Sequence, residues 1–366
     1  MSQKQIILVV STLLLAGVTL TPPAIASQLV APIQMAQANN VDSLLEKGRE
    51  LVDAGDYASA IAIYQQAANL DSKNPRIFSG IGYLQARQGN YQAALEFYQR
   101  AISLEPDNAD FHYGLGYSLA HLEDYAGAAV SYSRATQLNK ENLNAFLGLG
   151  VVMFRQQKYA DALTAYEQAI SLAPENWQIY AFKGLTQIQL GRFDDAVTTL
   201  QRALELAPNQ PKVHVNLGVA WLNNGEQEAA LKAFEEAARL DPRNGEIQYQ
   251  IGEILRLYDD LDGALAAYQR AVIARFNFTE AYTALAEIQL RKGDFLEAII
   301  TYRRVLQLAP DNPQVHYNMG LALRGRERDS EALGFFETAL RLYQEQGDEE
   351  GVKKTEAVLE EMGKRE

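Results

Sequence analysis

The sequence contains no cysteine. That excludes disulfides, thiolate catalysis and cysteine-ligated metals, and it removes the attachment point of a lipoprotein. Histidine is nearly as scarce, with four residues: His112, His121, His214 and His316. No G-x-x-x-x-G-K-S/T phosphate loop, H-E-x-x-H or G-x-S-x-G motif is present. Nothing in the sequence calls for a cofactor, a metal or a catalytic residue, and the chain reads as a non-enzyme. Bases are outnumbered by acids, 33 to 46, for a formal charge of −13. Such a chain is a poor match for a phosphate backbone, so neither nucleic acid nor an anionic membrane surface is expected as a partner.

What is present is a period. Glycines stand at 48, 82, 116, 150, 184, 218, 252 and 320, with Ala286 in the gap, each step thirty-four residues or twice that. Alanines at 60, 94, 128, 162, 196, 230, 264, 298 and 332 keep the same step. Four residues after each alanine comes an aromatic or Leu: Tyr64, Tyr98, Tyr132, Tyr166, Leu200, Phe234, Tyr268, Tyr302 and Phe336. Nine repeats follow without insertion or deletion: 41–74, 75–108, 109–142, 143–176, 177–210, 211–244, 245–278, 279–312 and 313–346.

Within residues 75–108, Phe78, Ile81 and Leu84 fall at helical spacing, Gly89-Asn90 breaks the pattern, and Tyr91, Ala94, Tyr98, Ala101 and Leu104 resume it. Pro106 then stops the second helix. The spacing predicts helix A over about Arg76–Gln88 and helix B over about Tyr91–Leu104. Two helices this short need neighbours of the same shape. The glycine of A and the alanine of B are expected where the helices come closest, with the aromatic filling the space towards the next repeat.

The set Phe78, Ile81-Gly82, Gln85, Ala94, Tyr98 and Pro106 resembles the tetratricopeptide repeat (TPR) signature, as does His214, Leu217-Gly218, Trp221, Ala230, Phe234 and Pro242. The resemblance implies an all-α, right-handed superhelical solenoid of nine helix-turn-helix repeats. A final helix from about Glu349 to Met362, with Val352, Thr355, Leu359 and Met362 on one face, reads as the cap within residues 347–366.

The first forty residues differ. Lys4, the apolar run Ile6–Leu20 and Ala24-Ile25-Ala26 read as a signal peptide over residues 1–26, cut after Ala26. The run is shorter than the roughly 20 residues of a membrane span. Ala36-Gln37-Ala38 offers a second processing site, and an uncleaved anchor is the alternative. Residues 27–40 read as a disordered spacer. Removal of the signal takes away one lysine and no acid. The expected location is the periplasm, or the thylakoid lumen if the precursor is cyanobacterial, with which the late Ala-Gln-Ala agrees.

The resemblance also implies a partner-binding groove on the concave face of the A helices. The residues it assigns there are Tyr83, Tyr113, Tyr117, Phe154, Phe182, Asn216, Tyr249, Gln250, Tyr317 and Asn318. Gly80, Gly114 and Gly148 on the same face are read as room for a ligand backbone. Tyrosines offer amphipathic contact surface, and Asn or Gln can pair with an extended main chain. Tyr83, Tyr113 and Tyr117 have a second reading, as packing between adjacent A helices. The family subtype that clamps a terminal carboxylate is disfavoured, because its Lys and Asn positions hold Leu45 and Arg49, Ser79 and Tyr83, or Tyr113 and Tyr117. His112, His214 and His316 share one repeat position and are expected in the repeat core. Glu123-Asp124, Asp194-Asp195 and Asp259-Asp260 are expected in solvated turns. Repeat seven, ending Arg275-Phe276-Asn277-Phe278, is expected to be irregular or to have a long helix.

The function read from this is recognition: a scaffold or assembly factor binding a peptide or protein segment. A regulatory subunit docking on an enzyme and a self-associating structural protein are the alternatives.

Overall fold

The computed structural model describes residues 37–363, with side chains from Asn40 onward. Those residues form nineteen α-helices and no strand. The proposed signal peptide lies outside them. The expected spacer overlaps the structure at its end, where the first helix already runs from Gln37 to Asp53. The chain divides between Pro208 and Asn209 into two compact blocks. The first holds repeats one to five, the second repeats six to nine and the cap.

Repeat two shows how the sequence builds one hairpin. The Asn74 side chain accepts the Arg76 N–H at 3.1 Å, Pro75 occupies the first turn, and helix A runs Pro75–Arg87. Both features suit a helix start, where backbone N–H groups have no helical partner. Gly89 then turns the chain at φ 81°, and helix B runs Tyr91–Leu104. Asn108, Asn142, Asn176, Asn244 and Asn312 cap other A helices in the same way. The turn after helix A contains one left-handed residue in all nine repeats. Five are glycine, and four are Glu123, Gln157, Asp259 and Glu327, at φ 62°, 60°, 63° and 56°.

Packing revises one expectation. The side chain covering each helix-A glycine is the one four residues past the alanine, an aromatic or, over Gly184, Leu200, and not the alanine itself. A Cβ at Gly82 would meet the Tyr98 ring at 3.1 Å, ahead of the Ala94 carbonyl at 3.3 Å. Tyr98 reaches further still: a Cβ on Gly114, in the next repeat, would stand 2.3 Å from it. Tyr132 is clamped likewise between Gly116 and Gly148, and Tyr64 presses on Gly48 and rests more loosely on Gly80, where a Cβ would stand 3.7 Å from its ring. Gly80, Gly114 and Gly148 are therefore seats for the preceding tyrosine, not openings for a ligand. At the next seam Phe182 replaces the glycine and stacks on Tyr166, centroids 5.9 Å apart.

Other expectations shift on similar grounds. His112 and His316 do not fill the repeat core. Each ring Nε2 lies 2.7 Å from the carbonyl of a proline six residues earlier, Pro106 and Pro310. Tyr180, at the same position, donates to Pro174 O at 3.0 Å. Asp194 and Asp195 lie inside the first turn of helix Phe193–Leu206, at its positive end. Asp124 and Asp260 do end their turns, each accepting an N–H at 2.9 Å, from Gly127 and Gly263. Repeat seven is regular: helix B stops at Ala274. Phe278 replaces the capping Asn and is buried.

In the second block, the last two helices are Asp329–Gln346 and Glu349–Gly363. Val352, Leu359 and Met362 pack on the core of repeat nine, as does Val358, and Thr355 is fully buried. The amphipathic final helix thus covers a face that the array would otherwise leave open to water.

Candidate partner-binding face

The A helices carry the candidate residues, and the structure sorts them by exposure. Tyr83 and Tyr249 are half-buried; Tyr113, Tyr117, Phe154, Phe182, Asn216, Gln250, Tyr317 and Asn318 are buried. The latter eight are packing side chains in the free chain.

In the first block Tyr83, Tyr113 and Tyr117 do come together in one apolar cluster with Tyr98 and Tyr132. Tyr113 packs on Tyr132 at 5.8 Å between centroids. Tyr117 packs edge-on against Tyr91 at 6.2 Å and lies 4.5 Å from His121. Tyr91 stacks on His121 at 4.3 Å, nearly parallel. Burial lowers the His121 pKa and, for the opposite charge type, raises that of the Tyr117 phenol. Alongside, Arg87 donates to the Tyr57 hydroxyl at 2.9 Å. Tyr57, Tyr91 and His121 are not among the groove residues that the resemblance assigns. Tyr57 and Tyr91 share one repeat position with Tyr125 and Tyr159, and that recurrence was the available signal. Phe154 stays apart from this cluster and packs on Tyr159 at 5.3 Å.

In the second block the face is polar. Tyr249 packs on Phe278 and Tyr268, at 5.1 and 5.9 Å. Behind it Glu253 accepts the Tyr268 hydroxyl at 2.5 Å and pairs with Arg256 at 2.7 Å. Asn318 accepts from Gln314 Nε2 at 2.7 Å. Tyr317 has a cation over its ring: Lys354 Nζ, from the final helix, 3.9 Å from the centroid. Tyr249 and Tyr317 belong to separate clusters. Among the described residues no group of three or more His, Asp or Glu is placed to hold a metal, and no helix is long and apolar enough to cross a membrane.

Comparison with known proteins agrees with this architecture. A tetratricopeptide repeat sequence model matches residues 45–107, 147–211, 183–244 and 215–278, and a second matches 278–345. A model described as anaphase-promoting complex, cyclosome, subunit 3 matches residues 87–169. The first alone covers more than half of the chain, which belongs to the tetratricopeptide repeat family. A TPR repeat-containing protein of Picosynechococcus sp. is 40% identical over 80 residues, 22% of this chain and 21% of that one. The match spans only about a fifth of that relative's length. A tetratricopeptide repeat protein of Parabacteroides merdae superposes with a TM-score of 0.53 at 18% identity, over 69% of this chain and 99% of its own. YrrB, described as a TPR protein with an unusual peptide-binding site, gives 0.47 at 22% identity, over 50% and 95%. TPR arrays are in general non-enzymatic scaffolds for protein–protein interaction, with proteins as their partners.

Proposed function

We propose that this chain is an exported scaffold or assembly factor that binds a segment of a partner protein along the A-helix face of its repeats. The observation that carries this is Tyr83. Tyr83, Tyr91 and Tyr125 are the half-buried aromatics of an otherwise buried cluster, and Tyr83 is the one carried by an A helix, so part of its surface is open on that face. A rigid aromatic loses little entropy on binding and anchors interfaces well. The sequence of residues 1–26 supports export to the periplasm, or to the thylakoid lumen in a cyanobacterium, with a retained anchor as the alternative.

The test is affinity capture with the chain starting at Ser27, from the envelope fraction of its own cell. Tyr83→Ser should release the captured partner while the melting temperature changes little. Capture that survives Tyr83→Ser would remove this surface from the interface. N-terminal sequencing of native protein checks export: a start at Met1 or Ser2 would contradict the cleaved signal.

Self-association is favoured by a different observation. Ile273 and Phe276, at 81% and 73% exposure, and the exposed Leu296 and Ile300 stand on or beside the B helices of repeats seven and eight. Light scattering on a size-exclusion column separates a dimer from a monomer. Docking on an enzyme as a regulatory subunit is the remaining alternative, and identification of the captured partner decides it.

A further inference from the structure

The A helices of repeats seven and eight carry a carboxylate pattern that the other repeats lack. Glu246, Tyr249, Glu253 and Arg256 share one face of helix Gly245–Leu257. Glu280 and Glu287 repeat the first and third of these thirty-four residues later, on helix Thr279–Lys292. Glu253 is committed to Arg256 and Tyr268. The nearby cations are also engaged: Arg291 and Lys292 pair with Asp259 and Asp262, and Arg275 lies over Phe278. Glu246, Glu280 and Glu287 are left on a face with more negative than positive charge.

A second observation, in repeat nine, shows what such a position accepts. Tyr317 occupies the repeat position of Tyr249, and the final helix places Lys354 Nζ over its ring, 3.9 Å from the centroid. Gln314 Oε1, one turn earlier on helix A, accepts from the same ammonium at 3.3 Å. Gln314 occupies the repeat position of Glu246 and Glu280. Repeat nine thus receives a lysine side chain from within the chain, on a tyrosine and a neutral acceptor. Repeat seven has the same tyrosine, with glutamate in place of the glutamine, and no lysine over it among the described residues.

We propose that the A-helix face of repeats seven and eight docks a lysine side chain of the partner segment, its ammonium over Tyr249 and between Glu246, Glu280 and Glu287. A cation over a tyrosine is attracted by the ring's negative face, and charge-assisted bonds to carboxylates add to that attraction. Tyr249 is half-exposed where Tyr317 is covered, as an unfilled seat requires. Burial, then the Glu253 charge, pushes the Tyr249 phenol up to about 12, so the ring stays neutral at physiological pH. This inference deepens the function proposed above and rests on the A-helix face being the docking face.

The probe is a blocked heptapeptide with lysines at positions one, four and seven and alanines between, compared with its glutamate counterpart. Isothermal titration of the chain from Ser27 should show binding of the lysine peptide only, weakened by 0.5 M salt, in keeping with an electrostatic contact. Glu280→Gln with Glu287→Gln should weaken it about tenfold. Glu246→Gln with Glu280→Gln changes two exposed side chains and should also weaken it, which keeps the test open if Glu287→Gln disturbs packing. Equal affinity for both peptides, or an unchanged affinity in both glutamine variants, overturns the proposal. Partner capture lost in Tyr83→Ser, with lysine-peptide binding untouched by the glutamine variants, overturns this site alone and leaves the scaffold function standing.

Discussion

A Cβ on Gly150 would stand 2.4 Å from Cε1 of Tyr166, closer than any real Cβ contact. The two residues lie on the A and B helices of repeat four, and the absence of one methyl group sets how closely those helices pack. Gly150→Ala is therefore expected to destabilise the chain by about 1–3 kcal/mol through overpacking. Gly334→Ala is the control, because its Cβ would meet nothing within 4 Å. It sits inside a helix, and alanine there should stabilise by about 0.5–1 kcal/mol. Thermal melts of the two variants should move in opposite directions. A Gly150→Ala protein that melts with the wild type would contradict the assigned packing.

The left-handed turn position offers a second test. Gln157 holds φ 60° with its side chain in solvent. An L-residue is disfavoured there by roughly 1–2 kcal/mol, partly offset by the greater freedom glycine has in the unfolded chain. Gln157→Gly should raise stability by about 0.5–1 kcal/mol. Gly191→Ala, at φ 73° in the equivalent turn, should lower it. Denaturant midpoints measured on both variants check the sign.

Tyr98 and Tyr132 carry hydroxyls that are buried and have no hydrogen-bond partner among the described residues. Burial pushes both phenols well above the usual tyrosine range. Tyr98→Phe removes the unsatisfied group and keeps the ring between Gly82 and Gly114. It should be neutral or stabilising by up to about 1 kcal/mol, whereas Tyr98→Ala should cost about 3–5 kcal/mol. A large loss in Tyr98→Phe, read from the same melts, would show that the hydroxyl has a role in the fold.

Glu287 gives a pH dependence. Burial raises its carboxyl above the ordinary 4.5, with the Glu253 charge adding to the rise and Arg256 opposing it. The native state therefore holds this proton more tightly than the unfolded chain does. Its contribution to stability is fully present below pH 4.5 and is lost as pH climbs through the raised native value. Glu287→Gln should remove that loss. The variant's advantage over wild type should be small below pH 4.5 and grow above it, as unfolding curves at a series of pH values will show. An advantage that is constant with pH would mean the side chain titrates normally.

The fold was legible in the sequence because its period is free of insertions. Helix B of repeat two runs Tyr91–Leu104 as the spacing predicts, and helix A begins one residue before Arg76, at the capped Pro75. The candidate face was legible only in part. Helical spacing says which way Tyr113 and Phe182 point, but not that Tyr132 of the same repeat and Tyr166 of the preceding one already fill the space there. Distances across a seam depend on side chains sixteen residues away, on another helix. For the same reason Gly80 and Gly114 read as openings in one helix and prove to be seats for Tyr64 and Tyr98. Glu253 and Glu287 stand where the other repeats hold Arg49, Tyr83, Tyr117, Val151, Leu185, Val219 and Leu321, so the period does not signal them.

The tyrosine seats bear on how the chain can change over generations. Tyr64, Tyr98 and Tyr132 each meet a glycine at the same position of the following repeat. Removing residues 109–142 would bring Tyr98 against Gly148, a junction of the kind already in use. Duplicating the same stretch would likewise create only junctions of that kind. Repeats two to four can therefore be lost or copied in one genetic step without a new interface having to evolve. Repeat five is less free, because its Phe182 needs a flat ring to stack on. Length variation among descendants of this gene should concentrate before Phe182.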